Sequence, residues 1–250
     1  MSTVSLKSNL KELKLPVMAD MYKKEALAAQ TMDLGYEDYL LQLSNLELTE
    51  KRQVRINRLL RQSRLPLEKT LHSFDKKRLP IKIRGMVNQL VEGGFLKRKE
   101  NLLIFGNPGS GKTHLLCGIG QELVNKGFKV LFKSCSMLVQ DLLKAKKELK
   151  LAKTIKSLAS NDALIIDDIG YVQQTREEME VLFTLLAERY ERGTVMISSN
   201  LVFSEWEKIF KDPMTTAAAI DRLVHHSIIL ELNLPSFRLE TSKKNLKGEQ

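Results

Sequence analysis

The apolar positions of this 250-residue chain fall into two regimes. Up to about residue 65 they recur at helical spacing. Leu6, Leu10, Leu13 and Leu15 precede Pro16, stretches 38–48 and 50–63 continue the pattern, and Pro66 closes it. From Asn101 onward, short apolar runs alternate with helical periods. Strands are predicted at 102–105, 129–133, 163–167, 194–198 and 227–231. Helices are predicted at 112–125, 136–159 (broken), 176–191 and 204–224 (again broken). This alternation, with unbroken apolar strands, predicts an α/β fold with a parallel sheet covered on both faces. Between the regimes lie a basic stretch, 67–80, and a helix at 81–91 that Gly93-Gly94 interrupts. The division expected is a small all-α N-terminal domain at 1–66, a basic connector and helix at 67–100, and an α/β domain at 101–250.

The first predicted strand runs into Gly106-Asn107-Pro108-Gly109-Ser110-Gly111-Lys112-Thr113, which fits the phosphate-binding pattern G-x-x-x-x-G-K-T. Its glycines let backbone N–H groups turn toward phosphate oxygens, and the following helix adds a favourable dipole. Lys112 supplies charge to the terminal phosphates, and the Thr113 hydroxyl is placed to ligate Mg²⁺. Downstream, Ala163-Leu164-Ile165-Ile166 ends in Asp167-Asp168. Asp167 is expected to hold Mg²⁺ through its water shell, and Asp168 to polarise the attacking water. The strand at 194–198 leads to Asn200, expected to orient that water, with Ser199 as a rival. Arg222, in Asp221-Arg222-Leu223, is placed to reach a neighbouring subunit's nucleotide; the alternative is a surface residue paired with Asp221 or Asp212. Arg238 is a weaker candidate for a phosphate contact. His114, His225 and His226 have no metal-like company and read as packing or surface residues.

Composition narrows the classes. No apolar run reaches the ~18 residues of a membrane span, and no secretory signal opens the chain. The two cysteines, Cys117 and Cys135, lack C-x-x-C spacing, which fits free thiols in the cytoplasm. Aromatic content of 6% disfavours a stacking-based binder of single strands. The net charge of +10 is uneven: residues 51–99 hold 15 basic and 3 acidic side chains, while 100–250 hold 20 and 19. This block points to a polyanion, nucleic acid before membrane. Within it Arg52, Arg55, Arg58, Arg61 and Arg64 recur every third residue and spiral around a helix. Ile56, Leu59 and Leu60 occupy one narrow face, from which all but Arg52 point away. These arginines are the expected DNA-binding set.

The motifs G-N-P-G-S-G-K-T-H at 106–114, L-I-I-D-D-I-G-Y at 164–171, S-S-N at 198–200 and D-R-L at 221–223 resemble the AAA+ superfamily. More closely, the chain resembles IstB-like proteins, the ATP-binding helpers of insertion-sequence transposases, over nearly its whole length. Leu71-His72-Ser73-Phe74-Asp75 and Glu100-Asn101-Leu102-Leu103 agree with this. The resemblance implies a P-loop AAA+ core with strand order 5-1-4-3-2 and no full helical lid. It implies ATP and Mg²⁺ as cofactors, a nucleotide site spanning Gly106 to His114, Asp168 as the acidic partner of Asp167, Asn200 as sensor, and Arg222 as finger. A glutamate is commoner than aspartate at the position of Asp168. The function implied is an ATPase that assembles as a homo-oligomer on duplex DNA and regulates a cognate transposase through ATP hydrolysis. Helicase loaders of the DnaC type share these motifs, and a small-molecule kinase would share the phosphate loop. The charged block at 51–99 speaks against the kinase.

Overall fold

The computed structural model describes residues 3–170, 175–202, 205–206, 220–221, 223–237 and 239–240. Five strands form one sheet: β1 (Asn101–Gly106), β2 (Val130–Ser134), β3 (Ala163–Ile169), β4 (Thr194–Ser199) and β5 (Ser227–Leu232). All pairings are parallel, in the order β2-β3-β4-β1-β5. This is the expected order read from the opposite edge. The strands alternate their side chains between two cores. Leu102, Ile104, Ile165 and Met196 join one cluster, and Leu103, Phe105, Leu164, Ile166 and Ile197 the other. Both faces are covered, so the central strands read as unbroken apolar runs.

Helix α6 (Lys112–Asn125) packs on the first face through Leu115, Leu116, Ile119 and Leu123. Helices α7 (Cys135–Lys147), α8 (Leu151–Ala159) and α9 (Arg176–Arg189) supply the second core. The expected break within 136–159 is the joint between α7 and α8. Most of the helix expected at 204–224 lies outside the described residues.

The chain divides into two compact units, Met1–Arg58 and Leu59–Gln250. The first is helical: α1 (Thr3–Glu12), α2 (Pro16–Thr31) and most of α3 (Tyr36–Ser63). Pro16 opens α2, and Leu15 gives it no side-chain cap. Glu47, 2% exposed, caps α2 from a distance by accepting the Met18 N–H at 3.0 Å. The two stretches 38–48 and 50–63 that continue the helical pattern form one helix, α3. Thr49, between them, donates its hydroxyl to the Asn45 carbonyl at 2.7 Å and stays within the helix.

The second unit begins before the expected boundary at residue 66. Leu59, Leu65, Leu71, Leu79, Leu90 and Phe95 share the core cluster of α6. Helices α4 (Ile81–Leu90) and α5 (Gly94–Lys97) belong to this layer. The stretch from Leu65, which overlaps the expected basic connector at 67–80, packs against this unit through Leu65, Leu71 and Leu79. It runs along α6, where Gln121 Nε2 donates to the Pro66 carbonyl at 2.7 Å. Gly118 makes the approach possible, because a Cβ there would lie 2.9 Å from the Leu71 backbone nitrogen. Among the described residues, no helix is long and apolar enough to cross a membrane.

Arg189, 1% exposed at the end of α9, ties three elements together. Its guanidinium donates to the carbonyls of Leu158 at 3.1 Å, Asn161 at 3.1 Å and Thr194 at 2.7 Å. Burial pushes its pKa down to about 10, which leaves it charged at neutral pH. The positive charge sits against the carbonyl end of α8, where the helix dipole favours a cation. Arg189→Met should lower unfolding stability by about 3 kcal/mol, because the buried carbonyls lose a charged donor. Equilibrium urea unfolding checks this; an unchanged midpoint would mean that the carbonyls find other donors.

Candidate nucleotide site

The site forms where β1, β3 and β4 end. β1 delivers the loop from Gly106 to Gly111, and α6 starts at Lys112. Gly106 has φ +151°, and a Cβ there would lie 2.3 Å from the Leu232 carbonyl oxygen of β5. Gly109 has φ +77°, and its Cβ would lie 2.1 Å from Ser236 Oγ. Only glycine fits at these two positions.

Lys112 is 7% exposed. Its ammonium donates to the Gly106 carbonyl at 2.8 Å, the Asn107 carbonyl at 3.0 Å and Asn200 Oδ1 at 2.5 Å. Asn200 in turn donates through Nδ2 to Asp168 Oδ1 at 3.3 Å. On the other branch, Thr113 Oγ1 donates to Asp167 Oδ1 at 3.0 Å. Two chains of polar contacts therefore start from adjacent residues of α6 and end on adjacent carboxylates of β3.

Adjacent residues of a regular strand point to opposite faces. A bulge makes the convergence possible. The β3–β4 register shifts between Ile166 and Ile169, and Asp168 takes a left-handed backbone with φ +65°. This local turn lets both carboxylates serve the site.

The bulge is held by Ser198, which the motif search did not single out. Its hydroxyl donates to Asp167 Oδ1 at 2.5 Å and accepts the Asp168 N–H at 2.8 Å. Ser199, the rival to Asn200, is fully buried and donates to the Ile169 carbonyl at 2.8 Å. Strand alternation is the signal that separates them: 198 and 200 share a face, and 199 does not.

The cleft beside the loop has a volume of about 280 Å³. Lys112, Thr113, Asp168 and Asn200 line it, together with Lys69 and Phe237, which the motifs did not include. Ser110 is 1% exposed, and its hydroxyl finds no hydrogen-bond partner among the described residues. His114 lines the cleft and also anchors stretch 65–75. Its Nε2 lies 2.9 Å from the Thr70 carbonyl oxygen, and its ring meets Phe74 edge-on at 5.3 Å. Nearby, the Cys117 thiol is pushed up to about 12, chiefly by burial and then by the charge of Asp167, so it stays protonated and inert.

The loop N–H groups, one ammonium, one hydroxyl and two carboxylates are the donor set that a nucleoside triphosphate with Mg²⁺ requires. A model of the IstB-like ATP-binding protein family matches residues 8–245. The chain belongs to this IstB-like family. An insertion-sequence ATP-binding protein of Sinorhizobium fredii is 40% identical over 92% of this chain and 77% of its own length. One from Geobacillus stearothermophilus is 37% identical over 95% of this chain and 94% of its own length. Among solved structures, the DnaC helicase loader superposes with TM-score 0.57 at 16% identity, covering 66% of this chain and 97% of that one. AMPPCP-bound DnaA from Aquifex aeolicus also reaches TM-score 0.57, at 21% identity, covering 74% of this chain and 56% of that one. These two likenesses concern the fold alone.

The remaining expected residues are spread widely in this IstB-like chain. Arg222 and Arg238 lie outside the described residues. Leu223, next to Arg222, is fixed: its carbonyl accepts from Asn101 Nδ2 at 3.2 Å, and Asn101 Oδ1 accepts the Val195 N–H at 2.9 Å. Arg52, Arg55, Arg58, Arg61 and Arg64 are all exposed, while Leu59 is buried. Arg64 falls just past the end of α3, with φ +58°. A second basic surface escaped the charge count. Lys144, Lys146, Lys147, Lys150, Lys153 and Lys156 crowd α7, α8 and their joint. Glu180 and Glu148 pair only with Lys146 and Lys150 among the described residues. Averaging over 100–250 hid this cluster, because acids elsewhere balance it.

The backbone at Asp168 gives a test independent of nucleotide. A left-handed residue costs about 1–2 kcal/mol unless it is glycine or a short polar residue. Asp168→Asn should therefore melt like the parent, and Asp168→Ala should lose roughly 1 kcal/mol more. Differential scanning calorimetry of both variants decides it; equal melting would show that the site relaxes.

Proposed function

We propose that this chain is an ATPase that assembles on duplex DNA and regulates the transposase of its insertion sequence. The observation that carries the reading is the meeting of Lys112, Thr113, Asp167, Asp168 and Asn200 at one cleft. ATP would lie along the loop from Gly106 to Thr113, with Thr113 and Asp167 holding Mg²⁺. Mg²⁺, when bound, offsets negative charge on the phosphates. Lys112 exchanges the Gly106 and Asn107 carbonyls for phosphate oxygens. Asp168 accepts the proton of the attacking water, and Asn200, already hydrogen-bonded to both Lys112 and Asp168, orients that water. Ser198 fixes Asp167 by hydrogen bonding and acts through it.

Arg222 completes the site from a neighbouring subunit, so ATP favours the multimer and hydrolysis dissolves it. The names of the relatives, ATP-binding proteins of insertion sequences, support the transposition context.

Turnover gives the first test. Lys112→Ala should lose ATP binding and ATP-dependent assembly together, whereas Asp168→Asn should bind ATP but hydrolyse it at least 100-fold more slowly. Arg222→Ala should bind ATP and turn over poorly, and adding Lys112→Ala subunits should restore part of the rate. A steady-state phosphate-release assay reads all three. Wild-type turnover in Asp168→Asn would remove it as base, and no recovery in co-assembled mixtures would remove Arg222 from action in trans.

Salt dependence tests the DNA surface. Log affinity for duplex DNA falls with log salt by about 0.9 per phosphate neutralised. Replacing Arg55, Arg58 and Arg61 by Gln should reduce that slope by roughly 2–3 per protomer, to a similar degree across DNA sequences. The same measurement on a Lys147, Lys153 and Lys156 triple-Gln variant distinguishes the two basic surfaces. An unchanged slope in the arginine variant would move the DNA path to α7 and α8.

A further inference from the structure

Part of the lining of the cleft comes from residues outside every motif. After β5 the chain turns back over the phosphate loop. The Phe237 N–H donates to the Gly109 carbonyl at 2.9 Å, and Ser236 packs against the bare Cα of Gly109. Phe237 lines the cleft and is 53% exposed.

Arg78 holds this segment from the other side. It ends the 3₁₀ turn Lys76–Arg78, which Asp75 caps by accepting the Lys77 N–H at 3.1 Å. Its guanidinium lies over the Phe237 ring, 5.3 Å from the centroid. Its Nη2 donates to the Pro235 carbonyl at 2.8 Å and pairs with Glu240 at 3.2 Å. One arginine thus grips the segment at three points, on both sides of Phe237.

A phosphate loop needs polar donors. It has no use for a large aromatic ring at its rim, and an exposed ring gains little from burial. A ring fixed by a backbone hydrogen bond and a cation at the edge of a phosphate-binding cleft suits a ligand that carries a flat apolar group beyond its phosphates. We propose that Phe237 is the base-stacking residue of the nucleotide site and that Arg78 is its positioning residue. This rests on the phosphate-loop reading above and extends it to the other end of the ligand. Stacking uses the π-face common to all bases. Phe237 therefore raises affinity for nucleotides over bare polyphosphate while separating ATP from GTP only weakly.

The test compares ATP, GTP and inorganic tripolyphosphate, each with Mg²⁺, by isothermal titration on the full chain. Phe237→Ala should weaken ATP and GTP alike, by roughly 5- to 100-fold, the range of one lost base–aromatic stack. Tripolyphosphate affinity should change by less than about twofold, since it has no base to stack. Phe237→Trp should restore nucleotide binding. Arg78→Gln should weaken ATP by a smaller factor, and the double variant should bind no worse than Phe237→Ala, because Arg78 acts through the ring. Equal losses for ATP and tripolyphosphate in Phe237→Ala, with melting unchanged, would mean that the ring only shapes the loop and would overturn the proposal. So would unchanged ATP affinity. Should Phe237→Ala fail to fold, Phe237→Leu keeps apolar bulk without a π-face and must show the same split between ATP and tripolyphosphate. Lys112→Ala reports separately on the underlying reading: it should lose all three ligands, and wild-type binding there would discard the phosphate loop itself.

Discussion

Parallel hydrogen bonding between β1, β3 and β4 is the constraint on which the site depends. Parallel strands all end at one edge of the sheet, so residues far apart in sequence meet there. The register sets Leu103 beside Ile197 and Ile166 beside the same Ile197. A slip of β4 by one residue would exchange its two faces. Ser199 would then turn toward Lys112, and Ser198 and Asn200 would turn into the opposite core. Close packing on both faces opposes this slip, and so do the hydrogen bonds from the Val195 N–H to Asn101 and from Ser199 to the Ile169 carbonyl. The geometry of the cleft is thus maintained by residues outside it.

Much of this was legible in the sequence, for identifiable reasons. The strands stood out because helices cover both faces of the sheet. Lys112, Thr113 and Asp167 stood out because their motifs are contiguous or nearly so. What stayed hidden came from tertiary geometry. The left-handed turn at Asp168 has no sequence mark, since Asp167-Asp168 reads equally well as two acids on opposite faces. Stretch 67–80 read as a basic connector because Leu71 and Leu79 are sparse among charges. The surface that Leu71 meets, Gly118 and the neighbouring turn of α6, is distant in sequence. Phe237 had no motif at all.

Helix α6 carries two demands. Its first turn faces the phosphate site through Lys112 and Thr113. Its later turns hold stretch 65–75 through Gln121 and the close approach at Gly118. Glycine inside a helix costs about 0.5–1 kcal/mol relative to alanine. The tight packing of Leu71 offsets this.

The bulge also bears on which acid can serve as base. A glutamate in place of Asp168 would be one methylene longer. Here the main chain turns to φ +65° and carries the carboxylate toward Asn200 by bending rather than by reach. Aspartate is among the few residues besides glycine and asparagine that tolerate this conformation, partly because its short side chain can bond locally. Side-chain length and backbone handedness are therefore interchangeable variables at this position. A glutamate here would bring both a longer reach and a poorer fit to the left-handed backbone, so the turn itself selects the shorter acid.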